Sequence, residues 1–76
     1  MAATRYRNEE RFFKAFGAAV KQRRLKAGLT QEDMMDHGFS VRFYQRIEAG
    51  KPIHMRTVLK LADALDVTLK QLFAKF

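Results

Sequence analysis

Residues 38–50 read GFSVRFYQRIEAG, and the fold turns on how this segment faces its surroundings. A helix entered at Ser40 carries Phe43, Tyr44 and Ile47 beside Arg42, Arg46 and Glu48. At about 100° per residue, Tyr44 and Ile47 share one sector. Arg42, Gln45 and Arg46 fall in the opposite sector, with Val41 at its edge and Phe43 on the flank beside Ile47. A short amphipathic helix over 41–49 therefore has a small core side and a polar side. Arginine and glutamine suit paired hydrogen bonds to base edges, and valine suits a thymine methyl. Taken alone, the same pattern also describes an ordinary solvated helix face.

The preceding residues narrow the choice. Thr30 heads a short helix over 31–37, and the turn HGFS joins it to the helix at 41–49. Two short helices linked by a glycine-containing turn, the second amphipathic and basic at its start, form the helix-turn-helix pattern. It spans about residues 30–49. Further out, Phe12, Phe16 and Val20 recur at i+4 and predict a first helix over 8–27, interrupted by Gly17. Glycine there costs about 1 kcal/mol against alanine, and it marks either a kink or a close helix contact. Val58, Leu61, Ala62 and Leu65 predict a fourth helix over 57–66, with Thr57 as its cap. Thr68, followed by Gln71, has the spacing of a capping box and predicts a fifth helix over 69–75. Gly28, Gly38 and Gly50 each follow a helical pattern, where a positive φ is needed. No alternating strand pattern occurs.

With 76 residues the chain forms one domain, and it buries only about 60–65% of its unfolded surface. It lacks cysteine, so disulfides and thiolate metal sites are excluded and the core rests on side-chain packing. Residues 1–7 read as a flexible basic arm or a fraying helix start, and 8–76 as a single all-α domain. No apolar run approaches the length of a membrane span, and an intracellular, cytoplasmic location is expected. The net charge of +7 is uneven. Residues 1–27 carry +6, residues 28–39 carry −3, residues 40–56 carry +3 and residues 57–76 carry +1. A basic excess suits a polyanionic partner, or simply solubility. His37 and His54 are isolated, and Glu32, Asp33 and Asp36 have no nucleophile beside them, so neither a metal site nor catalysis is expected.

The stretches AAVKQRRLKAGLTQEDM, GFSVRFYQRIEAGK and RTVLKLADALDVTLKQLF together resemble the Cro and phage-repressor type of helix-turn-helix protein, the XRE family. The resemblance implies a compact five-helix, lambda-repressor-like domain. It implies a homodimer on double-stranded DNA with two-fold symmetry, acting at the nucleoid without a cofactor. Val41, Arg42 and Arg46 match base-reading positions, with Gln45 beside them. Gln31 matches a position that contacts a phosphate and braces the recognition helix, while Lys51 and Arg56 match positions near the DNA backbone. Arg24 and Glu48 match a structural ion pair. Leu69, Leu72, Phe73 and Phe76 exceed what a short terminal helix needs for inward packing, and they are expected to contribute a dimer contact.

The chain departs from the family in three places. From Thr30 to Glu48 it is one residue short, around Met35–Gly38, where Met34 or Met35 fills the place of a small residue. Phe43 replaces a small polar residue and either packs on the fourth helix or meets a sugar or thymine methyl. EERFFKAF extends the first helix with aromatic residues. Two functions fit the same domain: a repressor of transcription, or an antitoxin-like module that neutralises a partner protein and regulates its own gene. RNA binding ranks below both, because the aromatics lie at helix-stripe positions rather than on a stacking platform.

Overall fold

The computed structural model describes residues 2–74, with side chains from residue 8 onward. It contains α1 (Ala2–Lys26), a 3₁₀ helix (Glu32–His37), α2 (Val41–Glu48), α3 (Met55–Ala64) and α4 (Leu69–Leu72). The expected all-α, five-helix architecture is present, and every element among the described residues is helical.

Phe16, Val20 and Arg24 recur at i+4 along α1 and are all buried. Around them close Met34 from the 3₁₀ helix, Tyr44 and Ile47 from α2, Val58 and Leu61 from α3, and Leu72 from α4. The helix begins at Ala2, ahead of the start expected near residue 8. The physical reason is local: Ala2, Ala3, Arg5 and Arg7 favour helix, and no proline interrupts the stretch.

Gly17 marks a close helix contact. A Cβ there would lie 2.6 Å from the Ile47 carbonyl oxygen and 2.8 Å from that of Glu48. The end of α2 therefore sits directly against the α1 backbone. Any side chain at residue 17 would push the two helices apart.

The first member of the helix-turn-helix is wound more tightly than an α-helix. It is a 3₁₀ helix of six residues, not the seven-residue helix expected over 31–37. At about 2.0 Å per residue, against about 1.5 Å in an α-helix, six residues span about 12 Å, the length of eight α-helical residues. Thr30 and Asp33 hold the start reciprocally: the Thr30 backbone N–H donates to Asp33 Oδ2 (2.7 Å), and the Asp33 N–H donates to Thr30 Oγ1 (3.1 Å). The Thr30 backbone N–H first, and the Thr30 hydroxyl second, hold the Asp33 carboxyl below its usual range. Met34 is fully buried and fills the turn-facing place, whereas Met35 is exposed. Gly38 ends the element at φ 87°, and Gly28 and Gly50 likewise take positive φ.

Other boundaries moved. α3 starts at Met55 with His54 as its N-cap, so Thr57 lies inside the first turn and is not the cap. The extended His54 backbone already directs its carbonyl to the Thr57 and Val58 N–H groups. α4 is only four residues long, closed by the expected Thr68–Gln71 capping box, and ends at Leu72 rather than Lys75. Leu72 is 1% exposed and belongs to the monomer's own core, which removes it from the expected dimer contact. Leu69 and Phe73 are half-buried against that core, and Phe76 lies outside the described residues.

Candidate nucleic-acid interface

Ser40 sets the start of α2: its Oγ accepts from the Phe43 N–H at 3.1 Å. Such a cap contributes about 1 kcal/mol and fixes where the first turn points. With Tyr44 and Ile47 buried, the geometry of a single helix forces Arg42, Gln45 and Arg46 outward, and all three are exposed. Val41 is half-buried at the edge of this face. Phe43 is 42% exposed and stacks on Phe39 (ring centroids 6.3 Å apart).

Behind the face lies the expected Arg24–Glu48 pair. Arg24 Nε donates to Glu48 Oε2 at 2.7 Å and Nη2 donates to Oε1 at 3.2 Å, while Nη1 donates to the Leu29 carbonyl at 2.9 Å. The side chains are 8% and 6% exposed. The hydrogen bond that Arg24 donates to Glu48 raises the Arg24 pKa further. Burial by itself would raise the Glu48 carboxyl, but the bonds it accepts from Arg24 and Gln31, with the adjacent Tyr44 hydroxyl, outweigh it and hold the group below its usual range. The Tyr44 hydroxyl is sealed beside this carboxylate without a hydrogen bond of good geometry. Burial first, and the carboxylate second, push its pKa well above the ordinary tyrosine range.

The pair also reaches the surface. Gln31 Nε2 donates to Glu48 Oε1 at 3.0 Å, and Gln45 Nε2 donates to Gln31 Oε1 at 3.2 Å. A carboxylate only accepts, so the Gln31 amide has one usable orientation, with its oxygen toward Gln45. That in turn leaves Gln45 with its oxygen and one N–H unused. Gln31 thus touches the recognition helix at two points, as the resemblance implies for a bracing residue; the choice of Gln45 as its partner, 14 residues away, has no local pattern in the chain.

Arg42, Arg46 and Lys51 line one surface groove, together with Ser40, Phe43, Ile47, Pro52 and Ile53. Arg56 stands apart on the first turn of α3. Lys60, unremarked in the sequence, donates to the Gly38 carbonyl at 2.5 Å and lies 4.6 Å from the centre of the Phe39 ring. It clamps the turn that precedes α2, and nothing in the spacing announces it.

The helix-turn-helix family model matches residues 20–72. The chain belongs to the helix-turn-helix family, in its Cro and repressor branch. Its members are DNA-binding transcription regulators. The match covers every element from the second half of α1 to the end of α4, and with them the whole network just described. No curated protein and no solved structure matches the chain. No helix among the described residues is long and apolar enough to cross a membrane.

Proposed function

We propose that this helix-turn-helix protein is a dimeric repressor that inserts α2 into the major groove of a two-fold symmetric operator. The observation that carries the reading is the division of α2. Tyr44 and Ile47 anchor one side in the core, and the other side presents Arg42, Gln45 and Arg46 with Gln45 braced from behind. Rigid presentation matters because base readout depends on hydrogen-bond geometry, whereas a solvated face needs no brace. Arg42 and Arg46 lie one turn apart, so both reach one groove, where each pairs with O6 and N7 of guanine. Gln45 retains a donor and an acceptor, the pair that adenine N7 and N6 require. Lys51, at the rim of the groove, takes a phosphate, as does Arg56. Leu69 and Phe73, half-buried in the monomer, supply the dimer contact, which sets half-site centres about 34 Å apart.

Binding-site selection from random duplex DNA tests this. A palindromic consensus with at least one guanine per half-site is expected. In Arg42→Ala the preference relaxes at one position, at a cost of about 1–3 kcal/mol. In Lys51→Ala all sequences weaken alike, because phosphate contacts carry no base information. If about 6–8 phosphates are neutralised, log K falls against log[salt] with a slope of about −5 to −7. A slope near zero, or an unchanged consensus in Arg42→Ala, contradicts the reading.

A further inference from the structure

Phe43 is a large apolar ring on the outward flank of a helix whose other outward residues are polar. It is held from behind. Its ring stacks at 12° on Phe39, which is 2% exposed, and Phe39 is in turn covered by the Lys60 ammonium. Lys60 is fixed by its bond to the Gly38 carbonyl. The exposed ring is therefore supported by the core instead of folded into it.

The ring lines a groove of about 290 Å³. Its apolar part is Phe43, Ile47, Pro52 and Ile53, and its cations are Arg42, Arg46 and Lys51. Two of those cations belong to the base-reading face and the third to the backbone contact. The groove thus lies where a strand of DNA passes from a base edge to its phosphate. In the major groove, C5 of a pyrimidine occupies that place. Thymine carries a methyl group there, cytosine carries hydrogen, and purines carry the N7 acceptor.

We propose that Phe43, with Pro52 and Ile53, forms a subsite for the 5-methyl group of a pyrimidine next to the guanine read by Arg46. The proposal rests on the placement of α2 in the major groove. Apolar contact favours the methyl group, and a purine is rejected because its N7 would be desolvated with no donor opposite. Cations on either side hold the adjoining phosphate and guanine, so the methyl group is positioned before the ring contributes anything. Thymine is the ordinary ligand, and 5-methylcytosine presents the same group.

The test uses the full chain and a duplex obtained by site selection. Each thymine of a half-site is replaced singly by deoxyuridine, and the dissociation constant is read by fluorescence anisotropy. One position per half-site is expected to weaken about fourfold, the size for one methyl-sized group leaving an apolar contact. In Phe43→Ser the difference between thymine and deoxyuridine at that position should vanish. With cytosine placed there, 5-methylation should tighten binding to the wild-type protein and not to the variant. Indifference of the wild-type protein to every deoxyuridine overturns the proposal without needing a variant. So does a deoxyuridine penalty that survives in Phe43→Ser, which assigns the methyl contact to another residue such as Val41. A uniform loss over all sequences in Phe43→Ser, with no deoxyuridine effect, makes the ring a sugar contact and also overturns it. Arg42→Ala is the control: if it relaxes guanine preference while deoxyuridine is silent, α2 is in the groove and only the Phe43 subsite fails. If Arg42→Ala is silent as well, the placement of α2 fails with it.

Discussion

Removing the Glu48 carboxylate should be among the most damaging single changes to this domain. A protein of 76 residues has a total stability of about 4–11 kcal/mol, at about 0.05–0.15 kcal/mol per residue. Glu48→Ala leaves Arg24 charged, 6% exposed and without its two carboxylate bonds. Breaking a buried pair by removing one partner costs about 3–5 kcal/mol. The lower end applies, because the Leu29 carbonyl still accepts from Arg24 Nη1. A loss of about 3 kcal/mol lowers the melting temperature by about 12–24 °C in a domain of this size. Arg24→Ala should be comparably damaging, since it strands the carboxylate with Gln31 as its remaining side-chain donor besides the poorly aligned Tyr44 hydroxyl. The double variant should then be much less destabilised than the sum, the signature of a coupled pair. The pH dependence follows from the depressed Glu48 pKa. The stabilisation is complete above the unfolded-chain value of about 4.3 and is lost as pH falls through the lower folded value. Circular-dichroism melts of wild type, both single variants and the double, repeated at descending pH, measure all of this. Single variants that melt within about 2 °C of wild type, or effects that simply add, would refute the buried-pair account.

Three further outcomes are expected. Gly17→Ala gains about 1 kcal/mol of helix propensity, but its Cβ meets α2 backbone oxygens that cannot rotate away, so overpacking of about 1–3 kcal/mol should leave it less stable by thermal melting. Gln31→Ala removes the brace on Gln45, and site selection should show adenine preference at one position weakened about three- to tenfold while guanine preferences persist. Leu69→Glu should sediment as a folded monomer, with circular dichroism confirming the fold; a retained dimer moves the contact toward Phe12, which is 36% exposed, and the half-buried Phe13.

Local patterns in the chain were enough to determine the helical class, the helix-turn-helix at about 30–49, and the caps at Ser40 and Thr68. Capping and amphipathic periodicity act over three or four residues, so they are legible without a partner. The face of α2 was readable for the same reason: burying Tyr44 and Ile47 leaves one direction for Arg42 and Arg46. The start of α1 at Ala2 lies ahead of the aromatic stripe, because periodicity marks only the part of a helix that packs. What only the tertiary structure decided were contacts between residues far apart in the chain. Gly17 could mark a kink or a contact until the end of α2 was found against it. Leu72 could face a partner or the core, and the core packs around it. The relay from Glu48 through Gln31 to Gln45, and the support of Phe43 by Phe39 and Lys60, join residues from different elements. Periodicity assigns each side chain to a side of its own helix. It does not say which side chain of another helix arrives there, because that depends on crossing geometry fixed by the packing of the whole core.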